Sequence, residues 1–213
     1  MCFGKIPNKE IIKAFDVSLI LYAEHSFNVS TFTARTITSS LSDIHSAITG
    51  AIGSLKGPLH GGANEEVMHM MNKIKKPENA LKWINKALDN KDVVMGFGHR
   101  VYKKGDSRVP TMEKYFRKVS KVKKDKKLYK IYDLVKNVMI ERKNIHPNVD
   151  YPTGPTYHLM GFDTDFFTPI FVLSRITGWS AHIMEQHAAN KLIRPLSKYS
   201  GEQHRKVMLL NQR

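Results

Sequence analysis

Cysteine is nearly absent from this 213-residue chain: Cys2 is the only one, so no intrachain disulfide can form. Without cysteine partners, the ten histidines do not make a zinc-finger framework. No two of them flank a carboxylate in the HExxH spacing of a helical metal site, so no metal is expected. No apolar run approaches the ~18 residues of a membrane span. The densest, residues 166–173, is interrupted by Thr168 and Pro169. The opening MCFGKIP lacks the apolar core of a signal peptide. These absences lead to the expectation of a soluble, cytoplasmic protein in a reducing compartment, with no membrane partner. There is no internal repeat, no low-complexity linker and no alternating pattern that would support a sheet.

Acidic residues are also scarce, 19 against 34 Lys and Arg, for a net charge of +15. Residues 103–143 alone hold 15 Lys and Arg against 5 Asp and Glu. Such a segment attracts a polyanion (nucleic acid, anionic lipid or a phosphate-bearing cofactor), or it is simply a solvated helix face. The run KVKKDKK (121–127) lacks the interleaved aromatics and glycines of a nucleic-acid module, which argues against nucleic acid as partner. The 41% hydrophobic and 25% charged content is that of an ordinary globular chain.

Helical periodicity dominates, and the expected class is all-α. Ile11, Ile12, Phe15, Leu19 and Tyr22 recur at three- and four-residue steps. Residues 35–55 are rich in Ala, Ser, Thr and Gly, which lets helices approach closely, and Gly57-Pro58 stops that segment. A helix is expected from Gly61-Gly62 to about Lys75, and a short one over 78–88. Val93-Val94-Met95 is the only strand-like scrap. Met112, Phe116, Val119 and Val122 form one stripe; Leu128, Ile131, Val135 and Val138 form another. Pro147, Pro152 and Pro155 mark a loop, and Pro169 suits the first turn of a last long helix carrying Val172, Ile176, Trp179 and Ile183 on one face.

Four islands combine glycine, histidine and charge: AEHSFN (23–28), GPLHGGANE (57–65), GFGHRVY with DSR (96–108) and PNVDYPTG (147–154). Singly, each has a plain structural reading as turn, surface histidine or ion pair. Together and in this order, with SRITGW (174–179) and IRP (193–195), they resemble the citrate synthase family from about Lys9 to the end. LILYAEHSFN, TFTAR and GFDTDFFTPIF are most similar to the 2-methylcitrate synthases and the citrate synthases close to them.

That resemblance implies condensation of oxaloacetate with acetyl-CoA or propionyl-CoA, followed by thioester hydrolysis. It implies three catalytic residues: His60 at the thioester carbonyl, Asp150 as the base that removes the α-proton, and His99 at the ketone of oxaloacetate. His25, Arg108 and Arg175 match residues that hold oxaloacetate, and Arg194 matches an arginine that reaches the partner subunit's site in a homodimer. The backbone of Val94, Met95, Gly96, Phe97 and Gly98 falls where CoA's adenine is held, and Arg142 and Lys143 fall at its phosphates. No cofactor is implied, because the CoA thioester is a substrate.

The chemistry suits these residue types. An acyl-CoA α-proton is too weakly acidic for a free carboxylate, so the enolate oxygen needs a donor as its charge develops. A histidine preceding a helix N-terminus stays neutral and still donates one hydrogen bond. Partial desolvation of Asp150 raises its basicity. Planar arginine forks suit the two carboxylates of oxaloacetate.

The implied fold is the end of a large helical domain plus a small helical domain. Residues 1–58 supply large-domain helices, 59–160 the small domain with its catalytic loops, and 161–213 the helices returning to the large domain. The N-terminal helices of the family pattern are expected to be missing. The alternatives are therefore a truncated or split chain acting only by assembly with a missing N-terminal half, and a basic nucleic-acid binder.

Overall fold

The computed structural model describes residues 3–102, 104–202 and 206–212; Cys2, and Lys103 at the head of the basic segment, lie outside them. The described residues hold nine α-helices, two 3₁₀ turns and no strand beyond an isolated bridge between Phe97 and Pro147, so the chain is all-α as expected. None of these helices is long and apolar enough to cross a membrane.

Helix α1 (Lys9–Ala23) is capped by the Asn8 side chain, which accepts from the Glu10 N–H at 2.8 Å. It buries Ile11, Ala14, Ser18 and Tyr22 at helical spacing, while Ile12, one residue further round, is exposed. The small-residue segment is two helices rather than one: α2 (Val29–Ser39) and α3 (Ile44–Leu55). They part at Leu41, whose φ of 64° no helix tolerates, and Asp43 caps α3 through the Ser46 N–H. The close approach holds, because a Cβ on Gly50 would overlap Ile37.

Helix α4 (Ala63–Ile74) opens at Gly62 with Glu65 and Glu66 in its first turn, where the helix dipole favours acidic groups. Lys76 then ends the run and Pro77 starts α5 (Pro77–Asp89). Helices α6 (Val109–Lys123) and α7 (Lys127–Lys143) bury the predicted stripes except Val122 and Val138, and join through Glu113, which pairs with Arg117 and with Lys136 of α7. Lys121, Lys123, Lys124, Lys126, Lys127 and Lys130 are exposed, which is the solvated-face reading of the basic run.

The loop expected around the three prolines is instead helix α8 (Asp150–Met160), with residues 151–157 all buried. Pro152 lies in its first turn, where no N–H is needed; Pro155 lies inside and removes one intrahelical bond. Complete burial between α4 and α6 supplies what propensity withholds. Helix α9 (Phe167–Ala188) follows, with Pro169 in its first turn. Its inward face is Phe171, Ser174, Arg175, Gly178, Trp179 and Ile183; Ile176 is exposed and Val172 only partly covered. The apolar stripe was misphased because an arginine, a serine and a glycine occupy core positions.

The buried side chains form two clusters. One gathers Met68, Met71, Phe116, Ile131, Tyr132 and Tyr151; the other gathers Tyr22, Ala47, Leu55, Phe171, Trp179 and Ile183. Helices α6 and α8 begin in the second (Met112, Val149) and run into the first (Phe116, Tyr151). Their N-terminal ends, which carry Arg108 and Asp150, therefore sit at the seam.

Candidate active site

His60 lies in the turn between α3 and α4, its N–H bonded to the Gly57 carbonyl at 2.9 Å. Its Nε2 is 2.8 Å from Ser30 Oγ and faces the Ser30 backbone N–H at 3.4 Å. A backbone N–H can only donate, which favours Nε2 as acceptor and the imidazole proton on Nδ1; the Ser30 hydroxyl has a single proton and also meets the acceptor Asn28 Oδ1 at 2.8 Å. The Ser30 hydroxyl also accepts from the indole N–H of Trp179 at 3.1 Å, which locks it from behind. Burial, then Arg175 and His25, pushes the His60 pKa down to about 4, so the ring is a neutral single donor at pH 7.

Asp150 begins α8. Its carboxyl Oδ1 accepts from the Tyr22 hydroxyl at 2.5 Å. Burial is the largest influence and raises its pKa to about 6, against the lowering effects of the Tyr22 hydrogen bond, Arg108 and Arg175. At pH 7 it is ionised and more basic than a surface carboxylate, as a general base requires.

His99 accepts from the N–H groups of Val101 and Tyr102 at Nδ1 (3.1 and 3.3 Å), which puts its proton on Nε2. Its ring meets that of His25 edge-on at 5.0 Å, and Tyr102 Oη is 3.0 Å from His25 Nε2. Burial, then Arg108 and His99, pushes His25 down to about 4. Burial lowers His99 as well, helped by Arg108 and opposed by Asp106.

Two arginines complete the cluster. Arg108 is clamped by buried Asp106 through Nε (3.0 Å) and Nη2 (2.7 Å), and Asp106 also accepts the Val149 N–H at the head of α8. Arg175 is 1% exposed; its Nε donates to the Tyr22 carbonyl at 2.6 Å, its guanidinium lies over Phe171, and its Nη1 has no partner among the described residues. Burial and then Arg108 lower its pKa to about 10. A buried guanidinium with an unpaired N–H beside a second arginine suits an anionic ligand.

The predicted CoA strip is ordered by a short ladder: Gly98 N–H to the His146 carbonyl, Asn148 N–H to the Gly96 carbonyl, both 2.9 Å. Gly96 and Gly98 have φ near +80°, open to glycine at no steric cost. Phe97 packs on Tyr151 at 4.3 Å, one residue from Asp150. Val94, Phe97, Met139 and Lys143 line a groove of about 280 Å³ there. Arg142 is exposed and turned to α5, where it bonds Asn85 and Asp89.

Six predicted residues thus come together: His25, His60, His99, Arg108, Asp150 and Arg175. Arg194 does not join them. It is exposed on the extended segment after α9, beside Ile193, which is pinned to Ser39. Ser39 is nine residues along α2 from Ser30, the partner of His60, a helix rise of ~13 Å between the two serines. Sequence reasoning assigns no role to Tyr22, Ser30, Tyr102 or Asp106. In the sequence Tyr22 reads as an apolar-stripe residue, although a tyrosine three places before His25 is a signal. Among the described residues, no three His, Cys, Asp or Glu side chains cluster as a metal site.

The family model for the citrate synthase C-terminal domain matches residues 1–196. The whole chain is 59% identical to 2-methylcitrate synthase 2 of Corynebacterium glutamicum, covering 57% of that protein. It is 56% identical to the citrate synthase of Mycolicibacterium smegmatis, over 98% of this chain and 56% of that one. A solved ternary complex of carboxymethyl coenzyme A and oxaloacetate with the citrate synthase of the archaeon Thermoplasma acidophilum superposes with a TM-score of 0.91. There the identity is 40%, over 99% of this chain and 57% of that one. The chain therefore spans a little over half the length of these relatives. With the motifs, the helical fold and the clustered site in agreement, the chain belongs to the citrate synthase family.

Proposed function

We propose that this chain carries the site for condensing oxaloacetate with propionyl-CoA or acetyl-CoA, giving 2-methylcitrate or citrate and CoA. The observation that carries the reading is Asp150: a carboxyl raised to about 6, at a helix start, between a tyrosine donor and two arginines. Asp150 takes the α-proton of the acyl group, and the C–H electron pair moves to the thioester oxygen. His60 Nδ1–H donates to that oxygen as its charge develops. The enolate carbon then attacks the ketone of oxaloacetate, toward which His99 Nε2–H donates, while Arg108, Arg175 and His25 hold the two carboxylates. Water hydrolyses the thioester and releases CoA.

Val94, Met95, Gly96, Phe97, Gly98 and Lys143 seat CoA, with Arg142 recruited from its contacts on α5. No cofactor is needed beyond the CoA thioester itself. The functional assembly is a cytoplasmic homodimer in which Arg194 completes the partner's site. Residues 1–58 and 161–213 act as the large-domain part and 59–160 as the small domain. The experiment is CoA release by the purified chain with oxaloacetate, comparing the two thioesters, with Asp150→Ala as control. Release that depends on Asp150 supports the reading; equal release from the variant sinks it.

A second reading is favoured by the apolar residues left exposed on three helices: Phe32 on α2, Ile44 and Ile52 on α3, Leu173 and Ile176 on α9. Here the chain works only when assembled with a segment equivalent to the remainder of its relatives. It predicts release only on co-expression with the N-terminal part of the Corynebacterium protein.

A further inference from the structure

Tyr22 makes three contacts that nothing in the apolar stripe of α1 required. Its hydroxyl donates to Asp150 Oδ1 across 128 residues of sequence. Its carbonyl accepts from Arg175 Nε at 2.6 Å, and its ring packs on Phe171 at 4.0 Å, the ring over which the Arg175 guanidinium lies. The residue is fully buried. One residue at the end of α1 therefore sets the register of both a carboxylate on α8 and an arginine on α9.

Of the carboxylate oxygens, Oδ1 is committed to the phenol, whereas Oδ2 has no hydrogen-bond partner among the described residues. We propose that Tyr22 is a positioning residue for the base: its O–H occupies Asp150 Oδ1 and so makes Oδ2 the atom that takes the α-proton. This rests on the condensation reading for the identity of the proton, but the hydrogen bond and its effect on the carboxyl do not. Tyr22 stays a donor throughout the working pH range, because burial and then Asp150 hold its hydroxyl far from ionisation. The other groups facing Asp150 are Arg108 and Asp106 at the head of α6, Arg175 on α9 and Tyr157 on α8 itself. None of them makes a hydrogen bond to the carboxylate.

The test is a ¹³C-carboxyl NMR titration of Asp150 in the free chain, assigned with Asp150→Asn, for the parent and Tyr22→Phe. Phenylalanine keeps the ring on Phe171 and the backbone carbonyl to Arg175. A hydrogen bond to a charged acceptor of ordinary strength corresponds to an upward shift of about one pKa unit or more on its loss. A second arm places difluorotyrosine at position 22; the more acidic phenol is a stronger donor and moves the carboxyl downward. An unmoved Asp150 resonance midpoint in both arms overturns the proposal. In the turnover assay, Tyr22→Phe is expected to lower kcat about 10-fold or more, move the acid limb upward with the carboxyl, and leave KM for oxaloacetate within about 3-fold. A KM rise with an unmoved acid limb would mean a packing role only. If the parent alone shows no turnover, the chain does not carry the condensation by itself, while the NMR arms still decide the role of Tyr22.

Discussion

Ser30 Oγ sits 2.8 Å from His60 Nε2 while accepting the indole N–H of Trp179, so the imidazole at the head of α4 is held by a residue from α2 braced by one from α9. Ser30→Ala removes that hold. Only the longer backbone N–H contact at 3.4 Å then favours the proton on Nδ1, and the donor aimed at the thioester oxygen is lost part of the time. The expected fall in kcat is ~10- to 100-fold, at or below the cost of deleting an oxyanion donor outright. Trp179 also loses its acceptor in a buried place, which costs ~1–3 kcal/mol in urea unfolding. An unchanged kcat would show that Ser30 does not govern the tautomer.

Arg175 is a buried cation whose Nη1 is unpaired, so it should cost stability until an anion arrives. Arg175→Met is expected to melt at the same temperature as the parent or higher when both are free. Oxaloacetate at ~100 times its Kd should stabilise the parent by ~2.7 kcal/mol and the variant hardly at all. Thermal melts with and without oxaloacetate decide it. Equal stabilisation of both would take Arg175 out of the ligand site.

Much of this site was legible because its histidines, glycines and arginines break helical patterning at GPLHGG, GFGHR and DSR. The helices α4 to α7 were legible because Met112, Phe116, Ile131 and Val135 obey a 3.6-residue period. What stayed hidden depends on contacts between distant segments. Pro152 and Pro155 argue for a loop locally, and only burial between α4 and α6 makes α8 a helix. Ile176 was expected on the inward face of α9 and is exposed, whereas its neighbour Arg175 is buried there. Ser30 and Tyr22 look like an ordinary helix residue and an ordinary core residue; their roles exist only where α8, α9 and the His60 turn meet.

Gly154 lies one turn along α8 from Asp150, and a Cβ there would come 2.6 Å from the Asn64 carbonyl oxygen of α4. The obstacle is backbone, so it cannot rotate away. Gly154→Ala gains ~1 kcal/mol of helix propensity and loses ~1–3 kcal/mol or more to overpacking. The net expectation is destabilisation. Because α4 follows His60 and α8 starts at Asp150, the forced separation should also cut kcat by ~10-fold or more. Urea unfolding and turnover on the same preparation check both; a stabilised, fully active variant would mean that the two helices slide apart freely.

The raised carboxyl of Asp150 carries a stability cost with a definite pH signature. Its folded pKa is about 6 against an ordinary 3.8, so the folded chain holds a proton that the unfolded chain releases between those values. That contribution is fully present below pH ~4 and is lost as pH rises through ~6. Above pH 6 the ionised, buried group therefore costs on the order of 3 kcal/mol. His25 and His60 slope the other way, because burial pushes both down to about 4 and stability falls as pH drops from 6.5 toward 4. Asp150→Asn removes the carboxylate and leaves Tyr22 an acceptor. It should abolish turnover and yet stabilise the chain by ~1–3 kcal/mol at pH 7.5, as active-site charges often allow. The gain should be little changed at pH 6 and about a third as large at pH 4.5. Urea unfolding of parent and variant at these three pH values is the measurement. A difference that stays constant across them would mean that burial is not what holds this carboxyl up, and the case for Asp150 as a tuned base would fall with it.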